Sequence, residues 1–211
     1  MTMWIISGPS SAGKSHFITS GAAAAVTGLQ GDIATLFPDE AKGCNEKPDT
    51  FFLHYNILRP LSIIRAERAG AHGGILSKLA CLFSRWREPR NTISWPHMLN
   101  LWQYKRDAAL DALLRTEPLI KAIVLVADRQ TILDRIRQRE TVEPFLQRNR
   151  RAARYPGRYW TSVYNAVDLP EIYRRWCDYL RCNAIEYKHI HSAHDRFEPL
   201  QVDTKIETIL T

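Results

Sequence analysis

Short, continuously apolar runs alternate along the chain with longer stretches in which apolar residues recur every three or four positions. The short runs predict buried strands and the periodic stretches predict amphipathic helices. The predicted strands are 3–7, 33–37, 50–58, 119–127 and 185–190. Because strand and helix alternate, the pattern predicts an α/β fold, with a parallel sheet of five strands and helices on both of its faces.

The periodic stretches predict the helices that connect these strands. They cover 14–26, 62–68, 75–86, 98–115, 129–143, 171–181 and a tail from 205. A chain of 211 residues with 45% apolar and 24% charged residues has the length and composition of one folded domain, and we predict a single domain over 1–211.

No apolar run approaches the length that a membrane-spanning helix needs. The first apolar run also lacks the basic segment and the cleavage site of a signal peptide. The four cysteines have neither paired nor zinc-binding spacing, which predicts reduced thiols. We therefore expect a cytoplasmic protein that makes no membrane contact. The sequence leaves its oligomeric state open, a homodimer included.

The net charge of +7 favours partners that carry phosphate. Two segments, 84–90 and 148–158, mix arginines with aromatic residues. Such a mixture suits nucleic acid, because cations meet phosphates and rings stack on bases. It equally suits a lid over a nucleotide or a solvated helix, and these two interpretations are favoured over nucleic acid.

Small residues crowd the segment that follows the first predicted strand, Gly-Pro-Ser-Ser-Ala-Gly-Lys-Ser. Glycines let a backbone curl so that successive N–H groups form an anion-binding nest. Lys14 suits the β- and γ-phosphates of a nucleotide, and the Ser15 hydroxyl suits Mg²⁺. The predicted nucleotide-binding residues are Gly8, Ser10, Ser11, Ala12, Gly13, Lys14, Ser15 and His16.

This segment matches G-x-x-x-x-G-K-[ST] between a predicted strand and a predicted helix, and here the chain resembles the P-loop nucleoside triphosphatases. Its size and early P-loop resemble the small-molecule and nucleoside kinases of that superfamily. The resemblance implies a P-loop kinase-like sheet, ATP and Mg²⁺ as cofactors, and transfer of the γ-phosphate to a hydroxyl group. It also implies that the loop 192–196, after the last predicted strand, cups the adenine.

A second resemblance lies in the helix predicted at 129–143. Arg135-Ile136, Arg139 and Glu143 are similar to the R-I-x-x-R-x-x-x-E lid segment of nucleoside kinases. The resemblance implies that Arg135 and Arg139 close over the phosphates, where arginines stabilise the charge that develops during transfer. It places the lid at about 129–160 and a helical acceptor-binding region at about 59–117.

The third predicted strand lacks the aspartate that this superfamily carries at its end, since the chain there reads Phe-Phe-Leu-His-Tyr-Asn. Asp39, just after the second strand, is the predicted general base and, with Ser15, a predicted metal ligand. Asp128 is a weaker candidate, for which capping a helix is the favoured role. The predicted acceptor-site residues are Glu40, His54, Asn56 and Arg59.

Three functions stay open from the sequence. A kinase that phosphorylates a sugar, a nucleoside or an antibiotic-like metabolite is favoured. A nucleic-acid kinase, acting on a 5′ end or a hydroxymethylated base in DNA, is supported by the charge. A nucleotide-binding regulator without transfer activity is supported by the missing aspartate. The closely spaced His189, His191 and His194 lack further ligands, so a metal site there is not expected.

Overall fold

The computed structural model describes residues 2–44, 46–64, 95–102, 106–141, 157–193, 196–201 and 207–210. Its strands are β1 (Thr2–Gly8), β2 (Ala34–Leu36), β3 (Thr50–Asn56), β4 (Leu119–Val126), β5 (Glu186–Ala193) and β6 (Arg196–Pro199). Its helices are α1 (Lys14–Thr19), α2 (Ala22–Thr27), α3 (Pro38–Gly43), α4 (Trp95–Leu101), α5 (Ala108–Thr116), α6 (Arg129–Thr141), α7 (Gly157–Ala166), α8 (Leu169–Cys182) and α9 (Glu207–Leu210).

Further helical residues lie at 59–64, directly after β3. The helix predicted at 75–86, the arginine–aromatic segment 84–90 and most of the segment 148–158 fall outside the described residues. Among the helices of the described ranges, none combines the length and the apolar character needed to cross a membrane.

The six strands form one sheet in the order β2-β3-β1-β4-β5-β6, in which β1 to β5 are parallel and β6 is antiparallel to β5. The five predicted strands and the α/β class are confirmed, but the predicted count of five is wrong. The sequence pattern misses β6 because it has only four residues, of which only Phe197 is not exposed. Such a strand depends on pairing with its neighbour and has no apolar run of its own.

The central strand β1 is buried along its whole length from Met3 to Gly8. Because successive side chains point to opposite sides of a strand, both faces of the sheet are covered here. The one polar side chain in this stretch, Ser7, is fully satisfied: its hydroxyl donates to the Ile123 carbonyl at 3.0 Å and accepts from Trp176 Nε1 at 2.9 Å. These bonds tie β1 to β4 and to α8.

Two predicted helices are each found as two shorter ones. The helix predicted at 14–26 is interrupted at Gly21, whose φ of 80° is left-handed and cannot continue a right-handed helix. The helix predicted at 98–115 is interrupted before Asp107, whose carboxylate accepts hydrogen bonds from the amides of Ala109 and Leu110 and so begins α5.

A buried ion pair stabilises the start of β4. Lys47 Nζ lies 2.6 Å from Glu117 Oε1, and the Glu117 side chain is only 1% exposed. We expect Lys47→Met to lower the free energy of unfolding by about 3–5 kcal/mol, because it leaves a buried carboxylate without its partner. Urea unfolding measures this change.

The exposed pair between Lys121 and Glu186, at 3.4 Å, provides a matched control. Lys121→Met should lower the free energy of unfolding by less than about 1 kcal/mol, since water already screens this pair. Equal losses in the two variants would contradict the assigned importance of the buried pair.

Candidate functional site

The candidate site lies at the carboxyl edge of the sheet, where β1 runs into the loop 9–13 and then into α1. Strands β3 and β4 flank β1, and Gly8 at the end of β1 is in register with Asn56 at the end of β3. Parallel strands end at the same edge, so the segments that follow β1, β3 and β4 meet around this loop.

Two glycines determine the path of the loop. A Cβ atom on Gly8 would lie 3.0 Å from the Leu125 carbonyl oxygen, so a side chain there would force the strands apart. Gly13 has a left-handed φ of 92°, and its Cβ would lie 3.0 Å from Ser192 Oγ and 3.3 Å from Arg135 Nη1. Both positions therefore need the smallest residue, which explains the two glycines of the motif.

Side chains from α6 and α7 hold the outer turn of the loop. The Tyr164 hydroxyl donates to the Ser10 carbonyl at 2.6 Å. Arg135 Nη1 donates to the Ser11 carbonyl at 3.4 Å, and Arg139 Nη1 to Ser11 Oγ at 3.3 Å. The structure thus brings both predicted lid arginines to the predicted nucleotide-binding loop.

Arg135 also joins this loop to strand β5. Its Nη1 donates to Ser192 Oγ at 3.1 Å and its Nη2 to the Ser192 carbonyl at 3.4 Å. Ser192 lies in β5 and Arg196 begins β6, so the segment predicted as a loop at 192–196 is strand at both of its ends, and 194–195 lie outside the described residues. Its predicted role of cupping adenine stays a prediction.

Strand β6 packs on the first helix through an aromatic contact. The ring of Phe197 lies 4.8 Å from that of Phe17, edge to face, and 5.7 Å from that of His16. His16, a predicted nucleotide-binding residue, is thus placed beside the last strand of the sheet. The contact fixes α1, and with it the loop, against the β5–β6 edge.

The Lys14 side chain lies inside the loop and is almost fully buried. Its ammonium donates to the carbonyl oxygens of Gly8 at 3.0 Å and Pro9 at 2.6 Å. Burial and the nearby Arg139 guanidinium lower the pKa of Lys14 to about 7. Phosphate oxygens that replaced the two carbonyls would meet an ammonium poised at the centre of the loop.

The structure places His54 of β3 beside the hydroxyl of Ser15. His54 Nε2 and Ser15 Oγ are 3.4 Å apart, and the half-exposed ring of Phe37 lies 5.0 Å from the imidazole. Burial, followed by the charge of Lys14, lowers the pKa of His54 to about 4, so the imidazole is neutral at pH 7. This neutral nitrogen base stands next to the serine that was predicted to bind Mg²⁺.

The predicted magnesium site is therefore poor in oxygen ligands. The structure brings an imidazole, and not the predicted Asp39, to Ser15. Within the described ranges no cluster of three or more His, Cys, Asp or Glu side chains is arranged to hold a metal. Mg²⁺ prefers oxygen ligands in octahedral geometry, and the pair found here offers only one oxygen.

Asp39 instead forms an ion pair with Arg59. Arg59 Nη2 lies 2.8 Å from Asp39 Oδ1, and Arg59 Nε lies 2.7 Å from Asp107 Oδ2. The buried Asp107 carboxylate also accepts a hydrogen bond from the Tyr55 hydroxyl at 3.2 Å. Arg59 is thereby fixed from its buried side, while the Asp39 side chain stays 73% exposed, in reach of a molecule arriving from solvent.

Three other polar candidates cap local structure. Asn56 Oδ1 accepts from the Leu58 amide at 3.1 Å, and Glu40 Oε2 accepts from the Phe37 amide at 2.9 Å at the start of α3. Asp128 accepts from the Thr131 amide at 2.8 Å at the start of α6, which confirms the favoured capping role. Of the closely spaced histidines, His189 contacts Cys177 Sγ at 3.5 Å, and His194 lies outside the described residues.

Sequence reasoning missed Tyr164 and Phe37 as members of this site. Tyr164 is a buried helix residue, and residues of this kind belong to the core in most proteins. Phe37 follows a short apolar strand and reads as part of it, yet it is 49% exposed at the edge of the site. An apolar residue directly before Pro-Asp-Glu was the only local signal for its exposure.

A comparison with protein-family models found no match, and a search of curated proteins likewise found none. What the protein does therefore has to be inferred from the residues of its own site.

Proposed function

We propose that this protein is an ATP-dependent P-loop kinase that transfers the γ-phosphate to a hydroxyl group of a small molecule. One observation carries the proposal: the loop that matches the P-loop motif is curled at the carboxyl edge of a mostly parallel sheet, and a lysine and two arginines converge on it. The order of the five parallel strands is compatible with a P-loop fold.

Phosphoryl transfer requires mainly that the protein position the reactants and stabilise charge. In the proposed complex the backbone amides of the loop bind the phosphates, and Lys14 turns from the Gly8 and Pro9 carbonyls to the β- and γ-phosphates. Arg135 and Arg139, already at the loop, stabilise the negative charge on the transferring group.

Asp39 is the proposed general base. The acceptor oxygen attacks the γ-phosphorus while the bond to the β–γ bridging oxygen breaks, which releases ADP, and the hydroxyl proton passes to the Asp39 carboxylate. The Arg59 guanidinium, 2.8 Å away, orients this carboxylate. A divalent cation bound with the nucleotide would neutralise phosphate charge, with Ser15 as the residue placed to hold it.

Two other functions are each supported by one observation. The net charge of +7 favours a kinase that acts on nucleic acid. The imidazole beside Ser15, where the superfamily resemblance implies a carboxylate, favours a nucleotide-binding regulator without transfer activity. We rank both below the small-molecule kinase, because two arginines converge on the loop and the exposed Asp39 carboxylate, paired with Arg59, is available as a base.

Incubation with γ-labelled ATP and a panel of acceptors tests these alternatives. Label on a sugar, nucleoside or antibiotic hydroxyl is the expected result. Label on an oligonucleotide, with binding that weakens steeply with salt, would replace the first function with the second. Tight ATP binding without label on any acceptor would favour the regulator.

The hydroxyl of Tyr164 provides a test of how the loop is held. Tyr164→Phe removes the hydrogen bond to the Ser10 carbonyl, and we expect ATP affinity to fall at least about fivefold because the loop loses a fixed point. Isothermal titration calorimetry with ATP measures this loss.

Tyr173→Phe is the control, since the Tyr173 hydroxyl is equally buried, donates to the Leu125 carbonyl at 2.8 Å and accepts from the Ala127 amide at 3.3 Å. Both variants should lose about 1–2 kcal/mol of stability, but Tyr173→Phe should keep its ATP affinity within about twofold. An equal loss of affinity in both variants would show that the Tyr164 effect is only one of stability.

A further inference from the structure

We propose that His54 is a ligand of the divalent cation that accompanies the nucleotide, and that the site therefore prefers a first-row transition cation, such as Mn²⁺ or Co²⁺, to Mg²⁺. This inference rests on the proposed binding of a nucleoside triphosphate to the loop. It goes beyond that function because it assigns a metal ligand and a metal class that the motif alone does not imply.

The spacing of two donor atoms supports the assignment. Ser15 Oγ and His54 Nε2 lie 3.4 Å apart. Two neighbouring ligands of one cation, each about 2.1 Å from it and about a right angle apart, are separated by about 3 Å. The two side chains thus need to move only a few tenths of an ångström to share an ion.

The fold holds the imidazole in this position. His54 is in register with Ile6 in the pairing of β1 with β3, so the backbone of the sheet fixes its distance from the loop. The ring of Phe37, 5.0 Å away, lies against the imidazole and restricts its rotation. A metal ligand needs such support, because a ring that turns freely loses affinity for the ion.

The chemistry of the two donors determines the choice of cation. Mg²⁺ binds oxygen almost exclusively, whereas an imidazole nitrogen favours transition cations, with affinity rising from Mn²⁺ to Co²⁺. A hydroxyl oxygen, an imidazole nitrogen and phosphate oxygens form a mixed set. Relative to Mg²⁺, this set should bind Mn²⁺ or Co²⁺ more tightly than the all-oxygen set that a carboxylate in place of His54 would give.

The surrounding charges predict that the cation arrives together with the nucleotide. Lys14 and Arg139 are two positive groups close enough to lower the pKa of His54. They repel a bare cation, and the phosphates of the nucleotide reverse the sign of the field at the site. Metal binding should therefore be weak without nucleotide and strong with it.

Calorimetry with a non-hydrolysable ATP analogue tests the preference. The wild type should bind the Mn²⁺ and Co²⁺ complexes at least about tenfold more tightly than the Mg²⁺ complex. His54→Ala should reduce the ratio of these affinities to about threefold or less. His54→Asp should make the Mg²⁺ complex bind tightly. His97→Ala, which removes an exposed imidazole on α4, should leave the ratio unchanged.

Pulsed electron paramagnetic resonance of the bound Mn²⁺ complex provides a readout that does not depend on activity. A nitrogen coupling from an imidazole is expected in the wild type and in His97→Ala, and it should disappear in His54→Ala. If His54 only holds Ser15 through a hydrogen bond, no nitrogen coupling will be seen and the metal ratio will be the same in His54→Ala, and either result overturns the inference.

The analogue in EDTA separates this inference from the proposed function. Binding without metal that is lost in Lys14→Met, combined with no preference for Mn²⁺ or Co²⁺, would overturn the assignment of His54 and leave the kinase proposal standing. No nucleotide binding with or without metal, in protein shown by urea unfolding to be folded, would overturn both.

Discussion

Lys14→Met should lower the rate of phosphoryl transfer by about a thousandfold, the largest loss that we expect from one substitution. The substitution removes the positive charge at the centre of the loop. It keeps an unbranched apolar stem in a position that is only 4% exposed, so the fold should be retained. Initial rates with a saturating acceptor measure the loss. Lys188→Met, at an exposed position in β5, is the control and should keep the wild-type rate.

The same lysine should make nucleotide binding take up a proton. Its pKa of about 7 in the free protein lies below the ordinary value of 10.5, and bound phosphates favour the charged form. At about pH 8.5, ATP binding in EDTA should therefore charge Lys14. Calorimetry in two buffers with different heats of ionisation measures this uptake, and wild-type binding that takes up no proton would contradict it.

The lowered pKa of Lys14 also predicts how the stability of the free protein depends on pH. Between pH 7 and 10.5 the unfolded chain binds the Lys14 proton more tightly than the folded protein does. The stability contributed by this group therefore rises with pH through that window and is complete above it. In Lys14→Met this part of the pH dependence should be missing from urea unfolding curves.

Asp39→Asn should lower kcat by about a hundredfold, the size expected for the loss of a general base, while ATP affinity stays within about twofold. The amide cannot take the hydroxyl proton, but it can still accept a hydrogen bond from Arg59, which lies 2.8 Å from the present carboxylate. Steady-state kinetics with the acceptor found by the labelling screen measures the change.

Asp32→Asn, at an exposed position before β2, is the control for Asp39 and should leave kcat unchanged. A normal kcat in Asp39→Asn would remove this residue from the mechanism. If Asp128→Asn then loses activity, Asp128 and not Asp39 is the general base. Because the Asp128 carboxylate also accepts the capping bond from Thr131, the stability of that variant must be measured too.

The sequence predicts the parts of the fold that are determined by local pattern. The apolar run of β1 and residues 122–126 of β4 are buried on both sides, and a continuous run is all that such strands require. Strand β6 lacks this signal, because its place depends on pairing with β5. The break before α5 was also missed, since an aspartate in a polar stretch signals a helix start only weakly until its carboxylate is seen bound to the Ala109 amide.

The same distinction applies to the site. The motif predicts the loop, because the two positions that require glycine, Gly8 and Gly13, lie in one short segment of the chain. The groups that hold the loop are distant in sequence: Tyr164 is 154 positions from its acceptor on Ser10. Likewise, His54 reaches Ser15 only through the register of β1 with β3, a pairing that no local pattern specifies.

The hairpin of β5 and β6 has a consequence for the order in which the protein matures. The loop is synthesised long before Ser192, which accepts a hydrogen bond from Arg135 beside the loop, and before Phe197, which packs on α1. Contacts between such distant segments form late, after the intervening chain has folded. A nascent chain that ends before β5 therefore carries the whole motif but cannot yet hold it in its final shape. The loop is thus made well before the strands that fix it in place, and it reaches its final shape only after they have paired.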